Sequence, residues 1–376
     1  MRISVLGAGN GGYAAAADFT RRGHQVTLFE LPQFASKIAS LQADSRLEMV
    51  DIDGNHVAEI RVHRVTSNIQ DAVSGADVIL NPVPIFGVPA FAATAAPYLE
   101  PGQYVFTFGK GGASLIYAKS LRQLGKEGVF LGETNTLPYG ATRQSDHRVR
   151  IEAPVSELIT GSFPARNTPA VVAKLSELYP AYHIRTAANV LECLLVDYNA
   201  ITHTPPMICN AARIASGFHA EEFHLFGKFE NPPPVVELIK AIDRERMAIS
   251  EALGIKAYTL EEEIAHVGWG PKGKEREVLD LYEAIHTEKL EVCEGPWSLT
   301  ARHLTEDVPW GLVAYSSLGK LTGVPTPVSD AITTLASVLN GEDYWSSGRT
   351  LESMGLDPAW SIAQLRSYLE EGAALP

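Results

Sequence analysis

Cysteine is scarce in this 376-residue chain: Cys193, Cys209 and Cys293 stand singly, with no CxxC or paired spacing. That excludes a disulfide framework and a thiolate zinc site, and it suits a reducing compartment. Basic residues are also in short supply, 31 Lys and Arg against 44 Asp and Glu, for a formal charge of -13. Such a field repels phosphate backbones and anionic membrane surfaces, so nucleic acid is not an expected partner. No run approaches the roughly 20 apolar residues that cross a bilayer, and the N-terminus has no charged lead followed by a long apolar stretch and a cleavage site. A cytoplasmic address without membrane attachment is the expectation. Repeats and low-complexity tracts are absent, and the length exceeds what one ordinary core supports, so two domains are expected.

What is present begins at the first residues. Arg2 to Leu6 is a β-branched run that meets Gly7-Ala-Gly9-Asn10-Gly11-Gly12, and an alanine-rich helical stretch follows to Arg22. This is GxGxxG between a strand and a helix. Gly7 permits the tight turn, Gly9 lets backbone approach a pyrophosphate, Gly12 lets helix and strand pack, and the helix N-terminus, with Asn10 and Gly11, offers free N–H groups to the anion. The next strand, Gln25 to Phe29, ends at Glu30, whose carboxylate can bind a ribose diol and would repel a 2'-phosphate; no Arg or Lys follows until Lys37. NAD(H) is therefore favoured over NADP(H).

Further strands are expected at Ala76 to Leu80, Tyr104 to Phe108 and Val129 to Leu131, alternating with helices at Ile69 to Val73, Pro89 to Tyr98 and Ala113 to Gln123. That alternation predicts a parallel sheet with ligands beyond the carboxyl ends of its strands. Three turn-rich segments lie at such ends: Asn81 to Pro84, with Pro84 read as a cofactor neighbour, Gly109 to Gly112, and Gly132 to Pro138. Residues 149 to 187 read as strands around a helix, Pro169 to Leu178, that close the sheet. From about Val190 the period turns helical, with helices at Ala211 to Ser216, Pro234 to Leu253, Leu260 to Val267, Arg276 to Ile285, Val308 to Leu321 and Pro327 to Leu339. The fold class is thus an α/β Rossmann dinucleotide-binding domain, residues 1–188, followed by an all-α C-terminal domain, residues 189–376.

The second half carries the candidate chemistry. Asn199 and His203 lie four apart and share a helix face, and two prolines are expected to break or restart the helix after the imidazole. Arg302 and Asp307 lie five apart at a helix entry. His219 and His224 cluster with Glu221 and Glu222, but the spacing is neither HExxH nor CxxC, so no metal is expected.

Four motifs, NAIxHxxPxxxNAAR, RxLTEDVPxGL, LGKLTGVPTPxxDA and SGRTLExMGL, closely resemble the opine dehydrogenase family, which includes octopine and nopaline dehydrogenases. The resemblance runs from the glycine turn to roughly Leu356. It implies a 6-phosphogluconate-dehydrogenase-like two-domain enzyme that joins an amino acid to a 2-oxo acid such as pyruvate and reduces the imine. Carried over by motif, His203 is the acid/base group, Asp307 its partner carboxylate, and Arg302 the binder of the substrate carboxylate, with Asn199 beside them.

Glu133, in GETNTLPY, resembles the family's region for recognising the amino acid. Arg143 follows it as a candidate for an anionic group. Lys110, where the family has a glycine-rich turn, is either a substrate contact or a solvated turn residue, and His303 replaces an aromatic expected to pack. The alternatives are a 2-oxo acid or hydroxy-compound reductase of the ketopantoate or glycerol-phosphate type centred on Lys110, and a nucleotide-sensing protein without turnover. The oligomeric state is not encoded in any motif; a homodimer is the assembly to test.

Overall fold

The computed structural model describes residues 1–155, 157–217, 223–287, 290 and 295–373. The chain divides into two compact units, Met1–Cys193 together with Tyr368–Ala373, and Leu194–Ser367.

The first unit holds two sheets. Its strands are β1 (Arg2–Leu6), β2 (Gln25–Phe29), β3 (Arg46–Val50), β4 (His56–Arg61), β5 (Arg64–Thr66), β6 (Val78–Asn81), β7 (Tyr104–Phe108), β8 (Phe130–Thr134), β9 (Tyr139–Ser145), β10 (Arg148–Pro154), β11 (Glu157–Phe163) and β12 (His183–Thr186). The main sheet runs β12-β11-β8-β7-β6-β1-β2-β5. From β5 to β8 every pairing is parallel, in the order of a dinucleotide-binding fold. β1, β6 and β7 are almost wholly buried, as expected of strands covered on both faces. β11 then joins antiparallel to β8, and β12 parallel to β11.

The anticipated closure of one sheet by residues 149–187 holds only for β11 and β12. β10 pairs instead with β9 and β3 in a second sheet, β4-β3-β10-β9. That sheet exists because the helix after the glycine turn, Asn10–Arg21, has a second apolar face to cover: Leu47, Met49, Tyr139 and Val149 share one buried cluster with Tyr13, Ala14 and Ala17.

The second unit is helical. The longest helix, Pro233–Leu253, stops at left-handed Gly254. Leu260–Val267 opens on a capping box between Thr259 and Glu262 and stops at Gly268. Pro327–Asn340 begins with proline, and its free N–H groups at Val328 and Ser329 donate to the Glu245 carboxylate at 2.7 and 3.0 Å. Two expected helices change. The one anticipated from Arg276 starts at Leu281, where Asp280 supplies the cap. The one anticipated over Val308 to Leu321 is a π-helical turn, Val308–Leu312, followed by an α-helix, Val313–Thr322.

Candidate active site

The glycine turn is built by close approach. Gly7 has φ +97°, and a Cβ there would stand 2.3 Å from Val83 Cγ1; at Gly12 it would stand 1.7 Å from the Gly7 carbonyl oxygen. These two glycines are required by the protein's own packing. Gly9 is different: a Cβ there meets nothing within 4 Å, and its φ of -82° suits any residue. The space beside Gly9 is what a phosphate approaching the helix N-terminus needs, so the turn fits a dinucleotide.

Glu30 is buried at 5% exposure. Its Oε2 accepts from the Ala8 N–H at 2.9 Å and its Oε1 from the Leu31 N–H at 2.8 Å. The carboxylate thus stands at the turn, at the end of β2. Pro84 leads into a single 3-10 turn, Ile85–Gly87, after β6. Asn10 opens the helix, and its Oδ1 accepts from the Arg143 N–H at 2.9 Å.

Arg143 and Glu133 are not placed as anticipated. Arg143 reaches back from β9 to the glycine turn, donating from Nη1 to the Ala8 carbonyl at 3.0 Å and from Nη2 to the Lys37 carbonyl at 2.7 Å and Asp146 Oδ1 at 2.6 Å. Its guanidinium lies over the Tyr13 ring, 4.1 Å from the centroid. Burial pushes the Tyr13 hydroxyl up to about 12, with Arg143 pulling the other way, so the ring offers the cation a neutral face. With these donors committed to protein groups, no parallel pair remains to grip a substrate carboxylate.

Glu133 is 1% exposed. Its oxygens accept from the N–H groups of Gly112 at 2.6 Å and Ser114 at 2.8 Å, where the helix Ala113–Gln123 begins. Gly112 has no side chain to cap that helix, and the carboxylate at the end of β8 does so instead.

Lys110 is 6% exposed, which removes the solvated alternative. It sits in a run of four left-handed residues, with φ of 85°, 59°, 51° and 71° from Gly109 to Gly112. A non-glycine residue there is strained.

In the second unit, His203 lies on the helix Asn199–Cys209, one turn after Asn199. Contrary to expectation, the helix continues through Pro205 and Pro206. Its lead-in is fixed by buried polar groups. Fully buried Arg246 donates to the Leu195 carbonyl at 2.9 Å, and the Tyr315 hydroxyl donates to the Asp197 carbonyl at 2.8 Å.

His203 Nδ1 stands 2.8 Å from Asp307 Oδ2, and the two side chains are 12% and 1% exposed. A carboxylate only accepts, so Nδ1 carries the proton in this bond and Nε2 is left to give or take another. The ring is flanked by Phe226, centroids 5.9 Å apart, and by His303 at 4.8 Å in an edge contact. His303 thus packs, as expected, and its surface is the imidazole itself. Phe226 went unread because a lone Phe in a loop carries no signature. Arg302 is exposed, 3.7 Å from buried Glu306. Among the described residues no group of His, Cys, Asp and Glu is arranged to hold a metal; His219, Glu221 and Glu222 lie outside the described residues.

Residues 186–340 match the family model for the alpha-helical domain of NAD/NADP octopine/nopaline dehydrogenase, and residues 2–122 match the N-terminus of NAD-dependent glycerol-3-phosphate dehydrogenase. The chain is similar in fold to octopine dehydrogenase bound to NADH and L-arginine, with a TM-score of 0.78 at 19% identity, covering 100% of this chain and 99% of that one. It is likewise similar in fold to NADP+-bound yersinopine dehydrogenase, with a TM-score of 0.72 at 15% identity over 98% and 97% of the two chains. An opine dehydrogenase of Arthrobacter sp. strain 1C is 31% identical over 369 residues, 98% of either chain. A dinucleotide turn in one unit, a buried imidazole–carboxylate pair in the other and end-to-end similarity at that level place this chain in the opine dehydrogenase family, as an NAD-dependent oxidoreductase acting on a CH–NH bond.

Proposed function

We propose that the enzyme condenses the amine of an amino acid with the carbonyl of a 2-oxo acid such as pyruvate and reduces the product, with His203 as the acid/base group. The hydrogen bond between His203 and buried Asp307 carries this reading. Attack of the amine on the carbonyl carbon gives a carbinolamine; its hydroxyl leaves as water once it takes a proton from Nε2, and the C=N bond forms. An imidazole has a second ring nitrogen that can give and retake that proton, at a gain of about 10²- to 10⁴-fold. Asp307 fixes the tautomer and stabilises the imidazolium. Arg302, with a planar fork of donors, binds and orients the substrate carboxylate. NADH, when bound, supplies the hydride.

NADH is the preferred cofactor on this reading, because Glu30 stands at the turn with its carboxylate fixed by two amides and would repel a 2'-phosphate. The yersinopine dehydrogenase structure carries NADP+, so the fold alone does not set the choice. The acidic charge of -13 supports small-molecule partners over nucleic acid, and singly spaced cysteines support a reducing cytoplasm. No described helix is long and apolar enough to cross a membrane.

The test is incubation with NADH, pyruvate and a panel of amino acids. NADH oxidation is expected only with both organic partners present, and faster than with NADPH. Turnover that ignores the amine defeats the condensation, and equal use of the two cofactors defeats the role given to Glu30.

A further inference from the structure

We infer that Arg143 is a positioning residue for the dinucleotide, acting through the peptide between Ala8 and Gly9. A peptide unit is planar, and its carbonyl and N–H point in opposite directions. The Ala8 carbonyl and the Gly9 N–H belong to one such unit. By holding that carbonyl at 3.0 Å, Arg143 sets the direction of the Gly9 amide, and Gly9 is the residue of the turn beside which a Cβ meets nothing. The preceding peptide is held as well, since the Ala8 N–H donates to Glu30. Ala8 is therefore fixed on both sides, by an acid from the end of β2 and a base from β9.

The clamp is itself held. Asp146 takes one Nη2 hydrogen bond from Arg143 at 2.6 Å and one from the Ser40 hydroxyl at 2.8 Å. Those two bonds, Ser40's first and Arg143's second, hold its carboxyl below the usual carboxylate range. Arg143 Nε donates to the Ser145 carbonyl at 3.3 Å, and its main-chain N–H donates to Asn10 Oδ1, tying the first helical residue to the same strand. The small sheet thus becomes part of the cofactor site without offering a ligand contact of its own. Its task is to keep the helix N-terminus in the shape an anion needs before the anion arrives.

The experiment is NADH binding by fluorescence titration, without substrates, on the full chain carrying Arg143→Met or Arg143→Lys. Loss of a charged hydrogen bond predicts about tenfold or weaker NADH affinity for Arg143→Met. Arg143→Lys, which can still donate to one carbonyl, is expected to recover part of it. At saturating NADH, kcat and the KM values of both organic substrates are expected to stay within about twofold of wild type, a split that general destabilisation does not produce. Unchanged NADH affinity in Arg143→Met overturns the proposal, and so does a raised substrate KM with unchanged NADH affinity, which returns Arg143 to substrate contact. Should Arg143→Met fail to fold, Asp146→Ala removes one anchor of the guanidinium at an exposed position; NADH affinity several-fold weaker supports the clamp, and wild-type affinity counts against it. The inference rests on this turn being the dinucleotide seat. A wild-type chain that does not bind NADH defeats that reading, whereas a variant that binds as well as wild type defeats only the clamp.

Discussion

The carboxylate of Asp307 meets the imidazole of His203 at 2.8 Å across 104 positions of sequence. Side chains joined this way act as one unit, and their losses do not multiply. His203→Asn and Asp307→Asn are each expected to lower kcat by about 10²- to 10⁴-fold, and the double variant by no more than the worse single one. NADH affinity should be unaffected in all three. Losses that multiply would mean the two groups work separately.

Gly9→Ala and Gly12→Ala should fail differently. The added methyl at position 9 meets no protein atom within 4 Å, whereas at position 12 it lands 1.7 Å from the Gly7 carbonyl oxygen. Thermal melts are expected to match wild type for Gly9→Ala, with NADH affinity reduced about tenfold or more by the steric block at the phosphate approach. Gly12→Ala is expected to be poorly folded. A Gly9→Ala protein that binds NADH normally would show that the ligand does not pass there.

Glu133→Gln addresses the helix cap. One of the two amides it serves, at Gly112 or Ser114, loses its acceptor and faces an NH₂ group. The expected cost is about 1–3 kcal/mol of stability. The KM for the amino acid should not move. A changed KM with an unchanged melting temperature would restore the substrate-binding role first expected of this residue.

His24 supplies a pH dependence with a definite sign. Partial burial first, then the charges of the N-terminus and Arg22, hold its imidazole below the ordinary 6.5. The unfolded chain therefore takes up a proton before the native one does, and stability falls as pH drops from about 6.5 toward the lowered native value. His24→Gln should flatten that part of the stability curve in urea melts at pH 5 to 7. An identical slope in the variant would assign the effect elsewhere.

Much of this architecture is written locally. β1, β2 and β7 and the helices Ala113–Gln123 and Leu260–Val267 fall where the periodicity places them, because buried parallel strands are continuous apolar runs and helix ends carry their own caps. The second sheet was not legible. Its strand β4, His56–Arg61, has no buried residue and carries charge, so it shows no apolar face; β5, at the edge of the main sheet, has three residues, too few for a pattern. At the site, His203 and Asp307 stood out through motifs rather than spacing, since nothing local says that positions so far apart will meet. The surroundings of Glu133 and Arg143 were hidden for one reason: Glu133 and much of the Arg143 guanidinium meet backbone groups, and a backbone N–H or carbonyl has no letter in the sequence.

Pro205 and Pro206 lie inside the helix that carries His203. Neither can donate to the carbonyl four positions back, so two rungs of the ladder, to Ile201 and Thr202, do not exist. Beyond them the helix leans on other supports: Asn210 Nδ2 donates to the Glu230 carbonyl at 3.0 Å, and Arg213 pairs with the Glu230 carboxylate. The imidazole thus lies just before a stretch of helix that lacks two ladder bonds, and the chain that follows is held by side-chain contacts to Glu230.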